Sequence, residues 1–268
     1  MIELINNILS ISGGKDSTAM LLEMLERNEP IHSAIFFDTG WEFPEMYDHI
    51  DKLEKYTGVR IWRLQSKFPF DYWLTARPII ARKGPNKGKV HRIGNGWPSM
   101  SRRWCTKQKT DTLDSFIRPI PDSISCVGYA ADEDRSFLDN RIPRRFPLQE
   151  YDITEKQALE ICYSHGFDWG GLYTHFKRVS CFCCPLKRIG ELQSLWREYP
   201  ELWHRMLDME NAIGEEAHRG FKGYTTVHDL DKRFKEEDKQ QRLFPTSGGG
   251  LNDAESCFKG GSLDGESK

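Results

Sequence analysis

The chain has 268 residues and a formal net charge of −2, with 29% charged and 38% hydrophobic residues. This length and balance indicate a globular protein with one large domain, or one domain and an appendage. The mean hydropathy is −0.63, and no apolar run approaches the roughly 18 residues that span a bilayer, which argues against a membrane protein. Because the N-terminus lacks the basic and apolar segments of a signal peptide, we expect a cytoplasmic protein with no membrane partner.

Strands and helices alternate over the first half of the chain. The predicted strands are 4–11, 31–37, 59–64 and 123–129, and the predicted helices between them are 16–27, 44–57 and 107–117. This alternation predicts an α/β fold, in which a parallel sheet with right-handed crossovers carries helices on both faces. Ligands of such sheets bind at the carboxyl ends of the strands.

The first predicted strand runs into Ser12-Gly13-Gly14-Lys15-Asp16-Ser17, and a helix follows directly. The two glycines let the backbone turn sharply and approach a ligand closely. The free N–H groups of the first helical turn then point at an anion, and Lys15 and the neighbouring hydroxyls add donors. The pattern predicts a phosphate cradle whose spacing differs from those of the Walker and dinucleotide motifs.

Three more motifs lie downstream. Asp38-Thr39-Gly40-Trp41-Glu42-Phe43-Pro44-Glu45 follows the second strand, Arg103-Trp104-Cys105-Thr106-Lys107 precedes the third helix, and Gly128-Tyr129-Ala130-Ala131-Asp132-Glu133 follows the fourth strand. Together with the cradle they resemble the PP-loop ATP-pyrophosphatase superfamily and, within it, the phosphoadenosine phosphosulfate (PAPS) reductase-like family. The resemblance implies a Rossmann-like domain of the adenine nucleotide α-hydrolase type, with ATP and Mg²⁺ as cofactors and ATP cleaved between its α and β phosphates.

The resemblance also implies roles for individual residues. Lys15 and Asp16 are expected in catalysis, Asp16 by capping the helix or by reaching Mg²⁺ rather than by touching phosphate. Asp38 is expected to contact adenosine or the metal, and a turn-forming Asp is the alternative. The implied nucleotide-binding residues are Ser12, Gly13, Gly14, Lys15, Asp16, Ser17, Asp38, Thr39, Gly40, Asp132 and Glu133.

The motif around Asp132 and Glu133 departs from the family pattern. Ala130 stands where the family usually has an arginine, so one phosphate contact is missing. A charged surface loop is the alternative interpretation of this segment. The arginines that could compensate are Arg135, Arg141, Arg144 and Arg145.

Three of the seven cysteines fall within four positions, in Cys181-Phe182-Cys183-Cys184. Such clustering in a protein that is not secreted favours metal or redox chemistry. Cys105 lies in one of the family motifs, and three thiolates with an open position suit a [4Fe–4S] cluster. The expected metal ligands are Cys105, Cys181 and Cys184, with Cys183 as a fourth ligand or as a catalytic, sulfur-carrying thiol.

Other interpretations of the cysteines stay open. Zinc is the structural alternative, with four cysteines or with His204 or His218 as a fourth ligand, and a reactive dithiol without metal is the third. Cys126 and Cys162 are expected in the core. Cys257 resembles the tail cysteine of PAPS reductases only poorly, so its role stays undecided.

Between Arg77 and Lys109 there are ten Lys or Arg residues and no acidic residue. Gly84, Pro85, Gly88, Gly94 and Gly96 fall between these charges and predict a flexible loop rather than a packed face. A solvated basic loop is the general alternative. Since the stretch lies between two nucleotide motifs, we favour a mobile lid that meets a polyanion, either a phosphorylated nucleotide or a nucleic acid such as tRNA or DNA.

From Tyr151 onward the pattern becomes helical, with predicted helices at 154–165, 172–176, 188–199 and 201–218. Thr154 and Gln157 predict a capping box at the first of them. We therefore expect a nucleotide-binding α/β domain over 1–150, a helical subdomain with the cysteine cluster over 151–245, and a mobile tail over 246–268.

The phosphate cradle and the cysteine cluster together favour one function among those that the resemblance implies. PAPS reductases cleave no ATP and typically lack the Gly-Gly-Lys-Asp segment that this chain keeps. The preferred hypothesis is ATP-dependent sulfur transfer, in which AMP and pyrophosphate are formed while an acceptor in nucleic acid is activated for attack by cluster- or cysteine-bound sulfur, with a sulfur donor protein as a further partner. PAPS reduction with release of sulfite is the enzymatic alternative, and a non-catalytic nucleotide- or nucleic-acid-binding module with structural zinc is the alternative of another class.

Overall fold

A computed structural model of the protein describes residues 6–133 and 142–243. Its strands are β1 Asn6–Ile11, β2 Ser33–Phe37, β3 Ile61–Leu64, β4 Pro78–Ile80, β5 Val90–Ile93, β6 Ser123–Val127 and β7 Arg144–Arg145. Five of them form a parallel sheet in the order β3-β2-β1-β6-β7. The predicted α/β class with a parallel sheet is confirmed.

Strand β1 lies at the centre of this sheet. It pairs in parallel with β2 on one side and with β6 on the other, so that Leu9 lies opposite Ala34 and Cys126. Ile8 and Leu9 point to opposite faces and are both fully buried. Burial on both faces explains the continuous apolar run, and it fixes the point at which the chain leaves the sheet for the phosphate cradle.

The helices are α1 Lys15–Glu26, α2 Pro44–Thr57, α3 Trp104–Ile117, α4 Pro147–Glu150, α5 Glu155–Ser164, α6 Leu172–His175, α7 Ile189–Glu198, α8 Pro200–Asn211 and α9 Val227–Leu243. Thr154 and Gln157 form the predicted capping box at the start of α5. Cys126 and Cys162 are completely buried, as expected of core residues. One apolar cluster runs from Leu9 in the sheet to Phe234 in α9, so the last helices pack on the same core as the nucleotide-binding strands.

The basic stretch from Arg77 to Lys109 is more ordered than the sequence suggests. Strands β4 and β5 pair in an antiparallel hairpin within it, and α3 begins at Trp104, three residues before the predicted start. The prediction of a loop without regular structure was therefore wrong. The two strands are only three and four residues long, which is too short for a clear alternating pattern, and the glycines that suggested flexibility form the turns between the ordered pieces.

Two helical predictions also need correction. Helix α8 ends at Asn211 rather than at residue 218, because the chain turns at Gly214, whose carbonyl accepts the Ala217 N–H at 2.9 Å. Helix α9 was not predicted at all. Its sequence is strongly charged, and only Val227, Leu230 and Phe234 are buried among the other helices.

No helix in residues 6–133 or 142–243 is long and apolar enough to span a membrane.

Candidate functional site

The phosphate cradle lies where β1 ends and α1 begins. Gly13 adopts a positive φ of 79°, and a Cβ on this residue would lie 2.7 Å from the Met46 side chain, so only glycine fits. Gly14 is the N-cap of α1 and has no side-chain cap. The N–H groups of the first helical turn therefore face out of the helix, as an anion site requires.

Lys15 is the buried cation of the cradle. Its Nζ lies 2.9 Å from an Asp16 oxygen and 2.8 Å from a Glu155 oxygen. Burial lowers the pKa of Lys15, but the bonds to Glu155 and Asp16 outweigh it, so that the net shift is upward and the side chain is charged. Asp16 lies in the first turn of α1, where its carboxylate binds the Lys15 ammonium, and a contact of Asp16 with Mg²⁺ stays a prediction.

Aromatic residues from the second half of the chain brace the cradle. The Trp169 indole N–H donates to the Gly13 carbonyl at 2.7 Å, and the Tyr173 hydroxyl accepts the Lys15 N–H at 2.7 Å. Behind the loop, buried His49 lies 2.9 Å from the Thr18 hydroxyl and stacks on Trp169. These residues were not found from the sequence, since nothing near them in the chain indicates phosphate chemistry.

The second nucleotide motif follows β2, beside the cradle. The Asp38 carboxylate accepts hydrogen bonds from the Gly40 N–H at 2.7 Å, from the Tyr47 hydroxyl at 2.8 Å and from the Gln65 amide at 2.8 Å. The Gly40 bond is the turn that the alternative interpretation of Asp38 predicts. The other two donors fix the carboxylate at the edge of the sheet. A contact of Asp38 with adenosine or metal stays a prediction.

Asp132 and Glu133 lie on the opposite side of the cradle. Asp132 accepts the Glu155 N–H at 2.9 Å and so helps to cap α5, while Glu133 accepts the Ala130 N–H at 3.2 Å. Arg178 approaches Glu133 at 3.6 Å, and its side chain is 82% exposed. The charges of Asp16 and Glu155 contribute to the raised pKa of Glu133, after burial, so these acids share one neighbourhood.

Arg178 is a basic residue of the site that sequence reasoning missed. Of the arginines expected to compensate for Ala130, Arg145 is committed to Glu29 and Glu150, and Arg135 and Arg141 lie outside the described residues. Arg178 instead faces the acids of the cradle: burial raises the pKa of Asp16 overall, and the positive charge of Arg178 opposes that rise as the smallest of several contributions.

The cysteines of the cluster lie at the end of β2. Cys183 is 2% exposed and Cys181 is half-buried, and Phe182 between them donates its N–H to the Trp41 carbonyl at 3.0 Å. Burial raises the pKa of Cys181 well above its usual value, and the charges of Glu42, Cys184 and Cys105 add to it. The structure thus brings together thiols from two separate segments of the sequence, at 105 and at 181–184.

The neighbouring thiols are the right type of ligand for a metal centre, because iron–sulfur clusters and zinc both bind cysteine thiolates. Burial lowers the pKa of Lys187, and the nearby thiols of the cluster oppose this shift without reversing it. In residues 6–133 and 142–243, however, no three His, Cys, Asp or Glu side chains stand together as a finished metal site. The side chains would have to rearrange to close one.

The histidines proposed for a zinc site are engaged elsewhere. His204 lies 2.7 Å from the Pro200 carbonyl, and His218 lies 3.9 Å from Glu210. Cys257 lies outside the described residues.

A cavity of about 240 Å³ joins the second nucleotide motif to Cys105. Asp38, Thr39 and Gly40 form one side of it, and Cys105 and Trp104 at the start of α3 form another. The Thr39 hydroxyl donates to Glu42 at 2.8 Å, and both Thr39 and Glu42 interact with Cys181. One cleft at the carboxyl edge of the sheet therefore contains nucleotide-motif residues and the Cys105 thiol, and Cys181 lies next to its Thr39 side.

Curated relatives of the chain are uncharacterized proteins. It is 27% identical over 233 residues to one from Methanocaldococcus jannaschii, covering 79% of this chain and 42% of the relative, and 22% identical to a second from that organism, covering 85% and 53%. It is 25% identical to a 37.8 kDa protein of Escherichia phage 186, covering 80% and 77%. The chain thus spans about half the length of the two Methanocaldococcus proteins.

Two solved structures are similar over much of the chain. A PAPS reductase from Candida auris in a phosphate complex aligns with a TM-score of 0.47 and 14% identity, covering 67% of this chain and 83% of that chain. The U34-tRNA thiolase NcsA from Methanococcus maripaludis, with its [4Fe-4S] cluster, aligns with a TM-score of 0.42 and 16% identity, covering 94% and 79%.

The family model named phosphoadenosine phosphosulfate reductase domain matches residues 6–187. That range contains the phosphate cradle, the second nucleotide motif and the whole cysteine cluster, and it makes up most of the chain. The resemblance noted in these motifs is confirmed: the protein belongs to the phosphoadenosine phosphosulfate reductase domain family.

Proposed function

We propose that this protein is an ATP-dependent sulfurtransferase, which cleaves ATP to AMP and pyrophosphate to activate an acceptor in nucleic acid for thiolation. The observation that carries the proposal is the cavity that Thr39 of the second nucleotide motif and Cys105 both line, with the Cys181 thiol next to Thr39. Activation and sulfur attack need their two groups within reach of one another, and a shared cleft supplies that proximity.

The cradle supports the ATP-dependent half of the proposal. The N–H groups at the start of α1, with the Lys15 ammonium, provide the positive field that the β and γ phosphates require. Without nucleotide, Asp16 and Glu155 neutralise Lys15. A bound phosphate would take over part of that pairing, and the freed carboxylates are oxygen ligands of the kind that Mg²⁺ accepts.

The cysteines support the sulfur-transfer half. Cys105, Cys181 and Cys184 are the residues that would hold an iron–sulfur cluster or a zinc ion, and a cluster with an open iron would supply a site for sulfide. Burial keeps the pKa of Cys105 and Cys181 high, so each must lose its proton when it binds a metal or attacks. Cys183, the most buried of the cluster, is the proposed sulfur-carrying thiol or a fourth ligand.

PAPS reduction is the second candidate, and the family match supports it. In that reaction a cysteine thiolate attacks the sulfur of PAPS, adenosine bisphosphate leaves, and an external thiol reductant releases sulfite from the enzyme. The reductase needs no ATP. The two candidates therefore differ in the nucleotide they consume.

The deciding experiment measures AMP and pyrophosphate from ATP, with sulfide and a mixed RNA or DNA preparation present. We expect both products from the wild-type protein, their loss in Lys15→Ala, and no change in Lys55→Ala, which alters an exposed lysine on α2. A parallel assay supplies PAPS and a thiol reductant and measures sulfite. Sulfite formation without AMP formation would replace the proposal with the reductase.

A further inference from the structure

The cavity beside the second nucleotide motif has aromatic walls. Phe70 and Trp104 pack with ring centroids 4.8 Å apart, and Phe68 lies 6.4 Å from Trp73. All four rings line the same space of about 240 Å³. Flat apolar faces around a cleft of this kind suit a planar ring that stacks on aromatic side chains.

The polar lining of the cavity supplies hydrogen-bonding groups for the edge of such a ring. Gln65, Ser66 and Gln108 contribute amide and hydroxyl groups, and the Ser66 hydroxyl lies 3.3 Å from the Gln108 amide oxygen. Side-chain amides both donate and accept hydrogen bonds, as reading the edge of a nucleobase requires. Cys105 lines the same cavity, so a base bound there would lie next to a thiol.

Three arginines cluster on the same side of the molecule without an acidic partner. Arg92 comes from β5, Arg102 precedes α3, and Arg219 follows α8. Burial and the nearby charges of Arg92 and Arg219 lower the pKa of Arg102. Within the described part of the chain none of the three forms an ion pair, and the buried Arg92 Nε has no hydrogen-bond partner. Neighbouring positive charges repel one another, and a buried N–H without an acceptor is unfavourable. Both features favour the binding of an anion between these arginines.

The arginine cluster and the cavity are joined by one short segment. Arg102 donates to the Asn95 carbonyl at 3.3 Å, and the Asn95 side-chain amide donates to the Trp73 carbonyl at 2.6 Å. The Trp104 indole N–H donates to the Gly96 carbonyl at 3.0 Å. Arg77 covers the Trp73 ring at 4.3 Å. The anion site is therefore built onto the wall of the cavity.

The hairpin β4–β5 extends this positive face. Arg82, Lys83, Lys87 and Lys89 lie in the turn between its two strands, and all four are exposed. A phosphorylated small molecule needs only one anion site. A positive surface that continues from an aromatic cavity onto a neighbouring hairpin suits a nucleic acid, whose phosphates and bases can contact both.

We propose that this face binds single-stranded nucleic acid, with phosphates of its backbone on Arg92, Arg102 and Arg219 and one unstacked base in the aromatic cavity beside Cys105. The role of that base, as the acceptor of sulfur, rests on the proposed function. The binding itself needs no ATP, so it is tested separately.

The test is fluorescence anisotropy with a labelled single-stranded oligonucleotide of about twelve nucleotides, a length within the usual range for such sites. We expect Trp73→Ala to weaken binding roughly tenfold, the loss of about one stacked base. Arg102→Ala and Arg219→Ala should each lower the salt dependence of log K by about 0.7, the value for one phosphate contact to a single strand. Arg233→Ala, on the exposed face of α9 and paired with Glu237, is the matched control and should change nothing.

An oligonucleotide with one abasic site keeps the proposal falsifiable if Trp73→Ala fails to fold. Placed at the position that stacks, the abasic site should weaken binding to the wild-type protein as much as Trp73→Ala weakens binding of the intact strand. Unchanged binding in the arginine variants, or displacement of the strand from the wild type by ATP alone, would overturn the proposal, the latter by assigning the cavity to adenine. Oligonucleotide binding with these variant effects, by a wild-type protein that forms no AMP from ATP, would support this proposal and contradict the proposed function.

Discussion

At the scale of single residues, the site depends on charges that balance one another around the phosphate cradle. Lys15 faces Asp16 and Glu155, and Arg178 faces Glu133. Lys15 is held in place by two carboxylates, whereas Arg178 is exposed and has one long contact. Arg178 is therefore free to turn toward a phosphate at little cost, and Lys15 has to exchange partners.

We expect Arg178→Ala to raise the KM for the nucleotide by about tenfold with a smaller effect on kcat, because an exposed phosphate contact contributes about 1.5 kcal/mol of charge-assisted hydrogen bonding. Steady-state kinetics of pyrophosphate release measures both constants. Arg178→Lys should recover part of the affinity. Lys177→Ala, one position away, is the control, and an equal effect in both alanine variants would show that the segment contributes only general positive charge.

His49 makes stability depend on pH. Burial lowers its pKa to about 3, so it stays neutral beside the Thr18 hydroxyl. The unfolded chain takes up this proton near pH 6.5 and the folded chain does not. The stabilisation is therefore complete above pH 6.5 and declines as the pH falls toward 3, by about 2 kcal/mol at pH 5.

Urea unfolding at pH 7 and pH 5 measures this effect. We expect His49→Gln to be less stable at pH 7 and to lose less stability than the wild type on acidification, by about that 2 kcal/mol. The same drop in both proteins would assign the acid sensitivity to other groups.

At the scale of elements, the end of β6 presses on the start of α1. A Cβ at Gly128 would lie 2.8 Å from the backbone of Asp16 and Ser17, so the strand and the helix touch through backbone alone. This contact holds the N–H groups of the first turn at the sheet edge. The sequence motif containing Gly128 thus has a packing reason as well as an implied ligand.

Gly128→Ala should displace the start of α1 and weaken nucleotide binding, with a loss of about 1–3 kcal/mol in stability, as overpacking usually causes. Gly190→Ala is the matched control, because a Cβ there meets nothing within 4 Å and alanine in helix α7 is favourable by up to about 1 kcal/mol. Calorimetric titration with ATP and thermal unfolding measure the two effects. Wild-type affinity in Gly128→Ala would show that the contact does not position the cradle.

The elements that the sequence predicted best are those with a strong local signal. Helix α2 begins at Pro44 and ends at Thr57, as predicted, since a proline stands at its first position and Gly58 ends it with a positive φ of 68°. The β4–β5 hairpin was missed because its strands are only three and four residues long, and helix α9 was missed because charged residues dominate its sequence. The cradle was predicted for the same reason as α2, because its strand, its glycines and its helix are consecutive in the sequence.

At the scale of the molecule, the site is assembled from segments far apart in sequence. Cys105, Cys181 and Cys184 were grouped from motif and spacing, and the structure places their thiols within electrostatic reach. Trp169, Tyr173 and Arg219 were not predictable, since they become relevant only through their position next to the cradle or next to Arg102. Tertiary contacts alone supply that information.

Metal analysis tests the cysteine group as a unit. Protein purified without oxygen should contain about four iron and four acid-labile sulfide per chain, if the group holds one [4Fe–4S] cluster. Cys181→Ser and Cys184→Ser should lose both, while Cys126→Ala, at a buried thiol in β6, should retain them. Zinc without sulfide would make the group structural, and metal content independent of Cys181 and Cys184 would remove it from the site.

The most direct measurement is the balance between nucleotide cleavage and sulfur incorporation. The protein is incubated with ATP, sulfide and nucleic acid, AMP is quantified, and the nucleic acid is digested and analysed for thiolated nucleosides by mass spectrometry. We expect AMP and incorporated sulfur to appear in equal amounts and both to vanish in Lys15→Ala. Sulfite released from PAPS, with no AMP from ATP and no sulfur in the nucleic acid, would contradict the proposed function.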